Sequence, residues 1–391
     1  MTSKPIHEGK TTVFISSDSG STTDKADVFY NKEMELNRDI TVAATLACAK
    51  RLHRFKSIPF SEIKYCDALS ASGIRGLRIA NELRIATTLN DWDLSAYKQI
   101  IKNCDQLKRE MNLNVNIKVH NKNANVLLNE EKFNIVDLDP FGSPTTFLNS
   151  AAFSTLNYLE VTATDTAPLC GAHLKSGIRK YASVPLNNEY HSEMGIRVLI
   201  GQVVREFAKH DKAINPILSH ATRHYYRVYL EVLPGAKNAD KAIDELGYIN
   251  HCNACGHRSF EYGLAVRNHK KCPSCGTVPK IAGPLWLGKL HESSFCSEVL
   301  ESIDTLELNT KQKAKRLVEL CKEELSKPTF YDQHIICKKL GISAQNMDIL
   351  IDSLLKEGFQ ASRTHFTGTS FKTNAKMDQI KSIVHSLDEN T

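Results

Sequence analysis

Three groupings in this chain combine residue types and spacing that can do chemistry. The first is Asp139-Pro140-Phe141-Gly142. A carboxylate beside exposed carbonyls can accept both hydrogens of an exocyclic amine, raise the electron density on its nitrogen and later take up a proton. Pro140 holds the backbone extended and fixes the neighbouring carbonyl, and Phe141 offers a face to a flat base. The set suits methylation of an amino group. The competing reading is an Asp-Pro turn that caps the following helix.

The second grouping is Asp67-Ala68-Leu69-Ser70-Ala71-Ser72-Gly73-Ile74-Arg75-Gly76, a strand that runs into small residues and opens a helix. Such a turn lets backbone N–H groups and the positive helix end approach a ligand closely. It is not the dinucleotide fingerprint G-x-G-x-x-G, because the critical positions hold Ala71, Gly73 and Gly76. S-adenosylmethionine fits it better than NAD, having no pyrophosphate to cradle. Its ribose hydroxyls need an acceptor, and Asp91, 18 residues past Gly73, stands at the end of the next strand to supply one. A tight strand-to-helix turn with Asp91 as a helix cap is the alternative.

The third grouping is Cys252-x2-Cys255, 16 intervening residues, then Cys272-x2-Cys275. This is the two-knuckle spacing of a structural Zn2+ site, and Gly256 and Gly276 after each pair permit the tight turns. Four thiolates leave no open position, so the metal is expected to serve folding. The other seven of the 11 cysteines have no partner in sequence and read as core or surface thiols, with Cys170 a minor candidate nucleophile.

These groupings need elements to hold them. Residues 63–69 read as a strand, 74–83 as a helix, 86–90 as a strand, 94–109 as a helix and 115–120 as a strand. Further strands are expected at 133–138, 158–163 and 225–233, with a helix over 193–209. Strands alternating with helices give an α/β fold with a parallel doubly wound sheet, whose ligands bind beyond the carboxyl ends of the strands. Pro234-Gly235 and the following AKNADK read as a turn or linker. Beyond it lie a Cys-rich segment over 247–290 and a helix-turn-helix-hairpin order over 333–371 that resembles a winged helix. The expected domains are therefore 1–240 and 241–391.

The 391 residues are 41% hydrophobic and 24% charged, enough to build two or three cores and too much to leave the chain disordered. No apolar run nears the roughly 18 residues of a membrane span, and MTSKPIHEGK lacks the apolar core of a signal peptide. A cytoplasmic protein with no membrane partner is expected. Lys plus Arg exceed Asp plus Glu by 50 to 44, a net charge of +6. Basic and aromatic residues interleave in Lys50-Arg51-Leu52-His53-Arg54, in Arg223-His224-Tyr225-Tyr226-Arg227 and in Arg267-Asn268-His269-Lys270-Lys271. Together they lean towards an RNA partner, although solvated charge explains each alone. His173, His191, His220 and His251 read as core or surface histidines.

In combination, the chain resembles the tRNA guanine-N2 dimethyltransferases of archaea and eukaryotes, which act on the guanosine at position 26. The likeness covers nearly the whole length: Glu8-Gly9, Phe29-Tyr30-Asn31, Met34, Asn37-Arg38-Asp39, DALSASGIRGLR at 67–78, DLDPFGSP at 137–144, ATDTAPLCG at 163–171, the four cysteines and Gly368 to Asn374. It implies a class I, Rossmann-like methyltransferase domain that uses S-adenosylmethionine, followed by a smaller α+β domain with zinc. Through it Arg38, Asp67, Ser70, Arg75, Asp91, Asn123 and Ala124 would hold the donor, with Asn123 where the family has an acidic residue. Asp139, Pro140 and Phe141 would form the guanine-amine site. The implied partner is tRNA, with no obligate protein partner.

The base would have to leave its stack to present N2. Two alternatives stay open: a non-catalytic zinc-ribbon RNA-binding protein without donor affinity, and an amino-methyltransferase acting on adenine, cytosine or glutamine.

Overall fold

The computed structural model describes residues 3–16, 28–111, 115–222, 224–266 and 270–389. Seven strands form its main sheet: β1 (Lys64–Asp67), β2 (Ala86–Asn90), β3 (Ile117–His120), β4 (Phe133–Leu138), β5 (Thr155–Ala163), β6 (Lys212–Ala221) and β7 (Tyr226–Pro234). Their order is β3-β2-β1-β4-β5-β7-β6. The first five are parallel, and the register sets Asp67 beside Asp137 and Asn90 beside His120. All their carboxyl ends thus lie along one edge. β4 is buried at every position, as its unbroken apolar run requires of a central parallel strand. The expected doubly wound α/β fold is present.

Four helices frame the first half of that sheet: α1 (Glu35–Lys56), α2 (Ile74–Leu83), α3 (Leu94–Met111) and α4 (Ala124–Glu130). Helix α1 starts on Glu35 and ends on His53, Arg54 and Lys56, charges that complement its dipole. Helices α2 and α3 pack Ile74, Leu77, Ala80, Ile100, Cys104 and Leu107 onto Leu89 and Ile117 of the sheet. Gly76 is required there, since a Cβ on it would sit 2.8 Å from Leu89 Cδ2 and 3.2 Å from Asp67 Cβ. That close approach lets α2 start directly over the tip of β1.

The chain divides into two compact units, one of Met1–Thr162, Tyr229–Val232 and Ser294–Glu319, the other of Ala163–Val228, Leu233–Ser293 and Leu320–Thr391. In the first, an N-terminal hairpin of Ser3–Glu8 and Thr11–Ser16 delivers the buried Glu8 to α1 and α2. Arg78 sits among Glu8, Asp39 and Glu82 with no exposure of its own. In the second, Leu246–His251, Arg258–Tyr262 and Lys280–Trp286 make a three-stranded antiparallel sheet. Helices Gln333–Leu340 and Met347–Lys356 then precede strands Ala361–Arg363 and Ser370–Thr373, in the order of a winged helix, around Ile336, Leu350, Leu354 and Phe371.

Three local expectations are corrected. AKNADK is not a linker but the start of helix Ala236–Asp244, entered through Gly235 with Asn238 Nδ2 donating to Pro234 O at 2.8 Å. The helix α1 and the strand β6 were not foreseen. Parts of two basic stretches also face inward: Arg51 pairs with Glu298 at 2.6 Å, and Tyr225, Tyr226 and Arg227 are buried. Those side chains are not phosphate contacts. Arg223 and residues 267–269 lie outside the described residues. Among the described residues, no helix is long and apolar enough to cross a membrane.

Candidate active site

Beyond the tip of β4 the backbone leaves the sheet at Asp139, whose side chain is 19% exposed. Arg75, from the first turn of α2, donates through Nη2 to Asp139 Oδ2. Its Nη1 donates to Asn37 Oδ1 and to Thr41 Oγ1 of α1, both at 2.8 Å, and lies 3.7 Å from Asp137 Oδ2. Tyr65 donates its hydroxyl to Asp137 at 3.0 Å. One oxygen of Asp139 is thus held by a buried guanidinium that α1 and β4 fix in turn. The other, Oδ1, has no partner among the described residues and remains an acceptor.

Phe141 is 72% exposed and Phe29 43%, and their rings meet edge to face with centroids 4.3 Å apart. Two large apolar side chains left in water beside a carboxylate make a surface on which a flat base can stack. Asn37 adds a buried amide nitrogen, Nδ2, with no hydrogen-bond partner among the described residues.

The turn after β1 is built by its own side chains. Ser70 Oγ donates to Asp67 O at 2.8 Å and accepts from the Asn90 amide at 3.1 Å. Asp67 is buried, its Oδ2 accepting the Gly76 amide at 3.2 Å. Burial, reinforced by Asp137 and opposed by Arg75, pushes its carboxyl up to about 7. Ala71 takes a left-handed φ of 46° and points its amide at Asp91 Oδ2, 2.9 Å away. Asp91 Oδ1 accepts from the Asp93 amide at 2.9 Å. Burial raises the Asp91 carboxyl, and these amide bonds oppose the rise. Each oxygen retains a second lone pair for a hydroxyl.

Two further donor-site candidates flank this turn. Asn123 caps α4, accepting from the Asn125 amide at 2.9 Å, and Ala124 is buried behind it. Arg38 is locked by Glu8, with Nε to Oε2 at 2.8 Å and Nη2 to Oε1 at 2.5 Å, and Nη2 also reaches Asn31 O at 3.0 Å. Burial pushes the Glu8 carboxyl up, but the Arg38 hydrogen bonds and the Arg38 and Arg78 charges hold it below the usual range. Arg38 Nη1 has no partner among the described residues. The structure therefore gathers Asp139, Pro140, Phe141 and Arg75 at the β4 tip, and Asp67, Ser70, Asp91, Asn123 and Ala124 along the ends of β1 to β3. Sequence reasoning assigned no role to Glu8, Phe29, Asn37, Thr41 or Asp137; all but Thr41 lie within the strings that carried the family resemblance.

In the second unit, Cys252, Cys255, Cys272 and Cys275 converge with all Sγ atoms within 4.8 Å of one another. Cys252 Sγ is 3.4 Å from Cys275 Sγ, and Cys255 Sγ 3.6 Å from Cys272 Sγ. The two knuckles repeat one pattern: Gly256 donates to Cys252 O and Gly276 to Cys272 O, both at 2.9 Å, from positive φ angles of 82° and 76°. A tetrahedral ion with bonds of about 2.3 Å spaces its sulfurs by about 3.8 Å, so the cluster fits a metal.

The sheet order, the ligand edge at the strand ends and the Asp-Pro-Phe tip define a Rossmann-like methyltransferase of the class I type, with a four-cysteine module in its C-terminal part. The chain belongs to the N2,N2-dimethylguanosine tRNA methyltransferase family, which it matches over residues 6–385. It is 54% identical over 390 residues to the tRNA (guanine(26)-N(2))-dimethyltransferase of Methanosarcina mazei, covering 99% of this chain and 100% of that one. It is 45% identical over 377 residues to that of Haloarcula marismortui, covering 96% and 98%. Among solved structures it resembles Trm1 from Pyrococcus horikoshii in complex with S-adenosyl-L-methionine, with a TM-score of 0.84 at 33% identity over 97% of this chain and 99% of that one.

Proposed function

We propose that the protein transfers one or two methyl groups from S-adenosylmethionine to the exocyclic N2 of guanosine 26 in tRNA. The observation that carries the reading is Asp139, held by Arg75 through one oxygen and left with the other as acceptor, next to the exposed pair Phe29 and Phe141. When bound, the donor supplies a sulfonium methyl whose C–S bond breaks as the C–N bond forms. The protein's residues do the rest. Phe141 and Phe29 stack on a guanine drawn out of its helix. Asp139 Oδ1 accepts an N2–H, which aims the nitrogen lone pair along the line of attack, and then receives the proton that the methylated nitrogen sheds.

On the donor side, Asp91 accepts the ribose hydroxyls, Asn123 and Ala124 border the adenine, and Arg38 Nη1 reaches the donor from α1. Asp67 and Ser70 act through the turn they fix, and Arg75 links the donor and base sides. Residues 1–240 carry this chemistry. Residues 241–391 contribute a Zn2+ held by Cys252, Cys255, Cys272 and Cys275 for folding, and a winged-helix-like part for tRNA. Mass spectrometry of nucleosides from unmodified tRNA treated with the protein and donor tests the assignment. Methylated guanosine at position 26 is the expected product. Methylation confined to another base, or tRNA binding with no donor affinity at millimolar concentration, rejects it.

A further inference from the structure

The second unit brings together three residues far apart in sequence: His291, Cys321 near the end of helix Lys311–Glu323, and His365 between strands Ala361–Arg363 and Ser370–Thr373. One ring nitrogen of each histidine and Cys321 Sγ lie within 4.8 Å of one another. The histidine rings stand at 84° with centroids 5.3 Å apart, and Cys321 is 1% exposed.

Glu324 holds the His365 ring and lies beside the His291 ring. Its Oε2 is 2.8 Å from His365 Nδ1, and its Oε1 is 3.6 Å from His291 Nε2. Lys372 in turn sits 2.8 Å from Glu324 Oε1 and 3.2 Å from Glu193 Oε1. A carboxylate that takes one nitrogen of an imidazole and leaves the opposite nitrogen to an ion is the usual support of a metal-bound histidine. His365 Nε2 fits that arrangement: its side chain has no exposure, and the nitrogen has no hydrogen-bond partner among the described residues. A buried unpaired nitrogen is costly, and a bound ion is one of the few things that relieves it. His291 Nδ1 meets the Ser219 amide at 3.4 Å, a long contact that a metal bond can replace.

We propose that His291, Cys321 and His365 form a second metal site, separate from the four cysteines, for a borderline-soft divalent ion such as Zn2+. Two imidazole nitrogens and one thiolate sulfur suit zinc, whose ligand atoms in a tetrahedron are about 3.3 to 3.8 Å apart, a spacing that lies inside the 4.8 Å bounding these three. Burial makes the ion structural: it ties the segment after the zinc ribbon, the helix end at Cys321 and the wing of the C-terminal part into one piece.

The test uses the full chain loaded with Zn2+. Diffraction data across the zinc edge are expected to give an anomalous peak between His291, Cys321 and His365, with the four cysteines as internal control. A map with no peak between these three residues overturns the proposal and leaves a dry hydrogen-bonded cluster. In solution, Cys321→Ser or His365→Gln is expected to lower bound zinc by one equivalent per chain after dialysis, while the four-cysteine site keeps its single ion. A folded variant with undiminished zinc overturns it as well. Should neither variant fold, the anomalous map of the unaltered chain decides.

Discussion

Arg75 and Asp139 face each other across the tips of α2 and β4, joined by an ion pair that Asn37 and Thr41 steady from α1. The carboxylate is thereby fixed before any substrate arrives, and its unused oxygen defines where an amine must sit. Replacing Asp139 by Asn keeps the shape but substitutes an amide for the anion that accepts the proton. We expect Asp139→Asn to lower kcat by about 10²-fold or more, within the range of general acid–base effects. Donor affinity should change little, because Asp91 and the β1 turn are untouched. Single-turnover kinetics with calorimetry of donor binding checks both; near-normal turnover would remove Asp139 from the chemistry.

Phe29 and Phe141 pose a different question, since neither is needed by the core. If they hold the extruded base, Phe141→Ala weakens productive tRNA binding by roughly tenfold to a hundredfold, as base–aromatic stacking is worth about 1–3 kcal/mol. The Phe29→Ala loss should be smaller, and the double variant less than additive, because the rings touch. The loss is expected in kcat/KM for tRNA with donor Kd unchanged. A purely additive cycle would show two independent contacts instead of one slot.

Asp91 separates donor binding from the base site. Asp91→Ala removes the acceptor proposed for the ribose and releases the Ala71 and Asp93 amides. Hydrogen bonds to a charged group are worth about 1.5–3 kcal/mol, so donor Kd should rise at least about tenfold. Titration with S-adenosylhomocysteine reads this without turnover. Unaltered affinity would reduce Asp91 to a turn residue.

The cysteine knuckles make a claim about folding. Cys252→Ser or Cys275→Ser should lose one zinc per chain and lower the melting temperature, while donor affinity persists. Metal analysis beside a thermal melt decides. Bound zinc equal to that of the parent chain would show that the four thiols are not the ligand set.

What the sequence made legible follows from how local each signal is. β4 and the DPFG tip, the β1 turn and the knuckles are each written in fewer than a dozen consecutive residues. The α1 helix escaped because its TVAATLACA core is buried nearly all round and shows no 3.6-residue stripe. The β6 strand escaped because Pro216 interrupts it, which ordinarily argues against a strand. Asn37, Thr41 and Glu8 were invisible as site residues because their roles exist only once α1 and the hairpin are placed against Arg75 and Arg38. The His291, Cys321 and His365 cluster has no spacing to find at all, being assembled from three segments of the second unit.

Asp67 supplies a test through pH. In the folded protein its carboxyl titrates at about 7, against 3.8 for an ordinary aspartate, because burial and Asp137 outweigh Arg75 and the Gly76 amide. The folded state then holds a proton that the unfolded chain has released, so stability falls as pH rises from about 4 through 7 and is level above. The difference from 3.8 to about 7 sets a ceiling of about 4 kcal/mol. Asp67→Asn keeps an oxygen for the Gly76 amide and removes the ionisation. In the absence of donor it should therefore melt above the parent chain at about pH 8.5, with the gap closing towards about pH 4. Melts of both proteins across that range measure it directly. A gap that grows towards acid would mean that Asp67 is held as a stabilised anion, and that the β1 turn is organised around its charge instead of around a neutral acid.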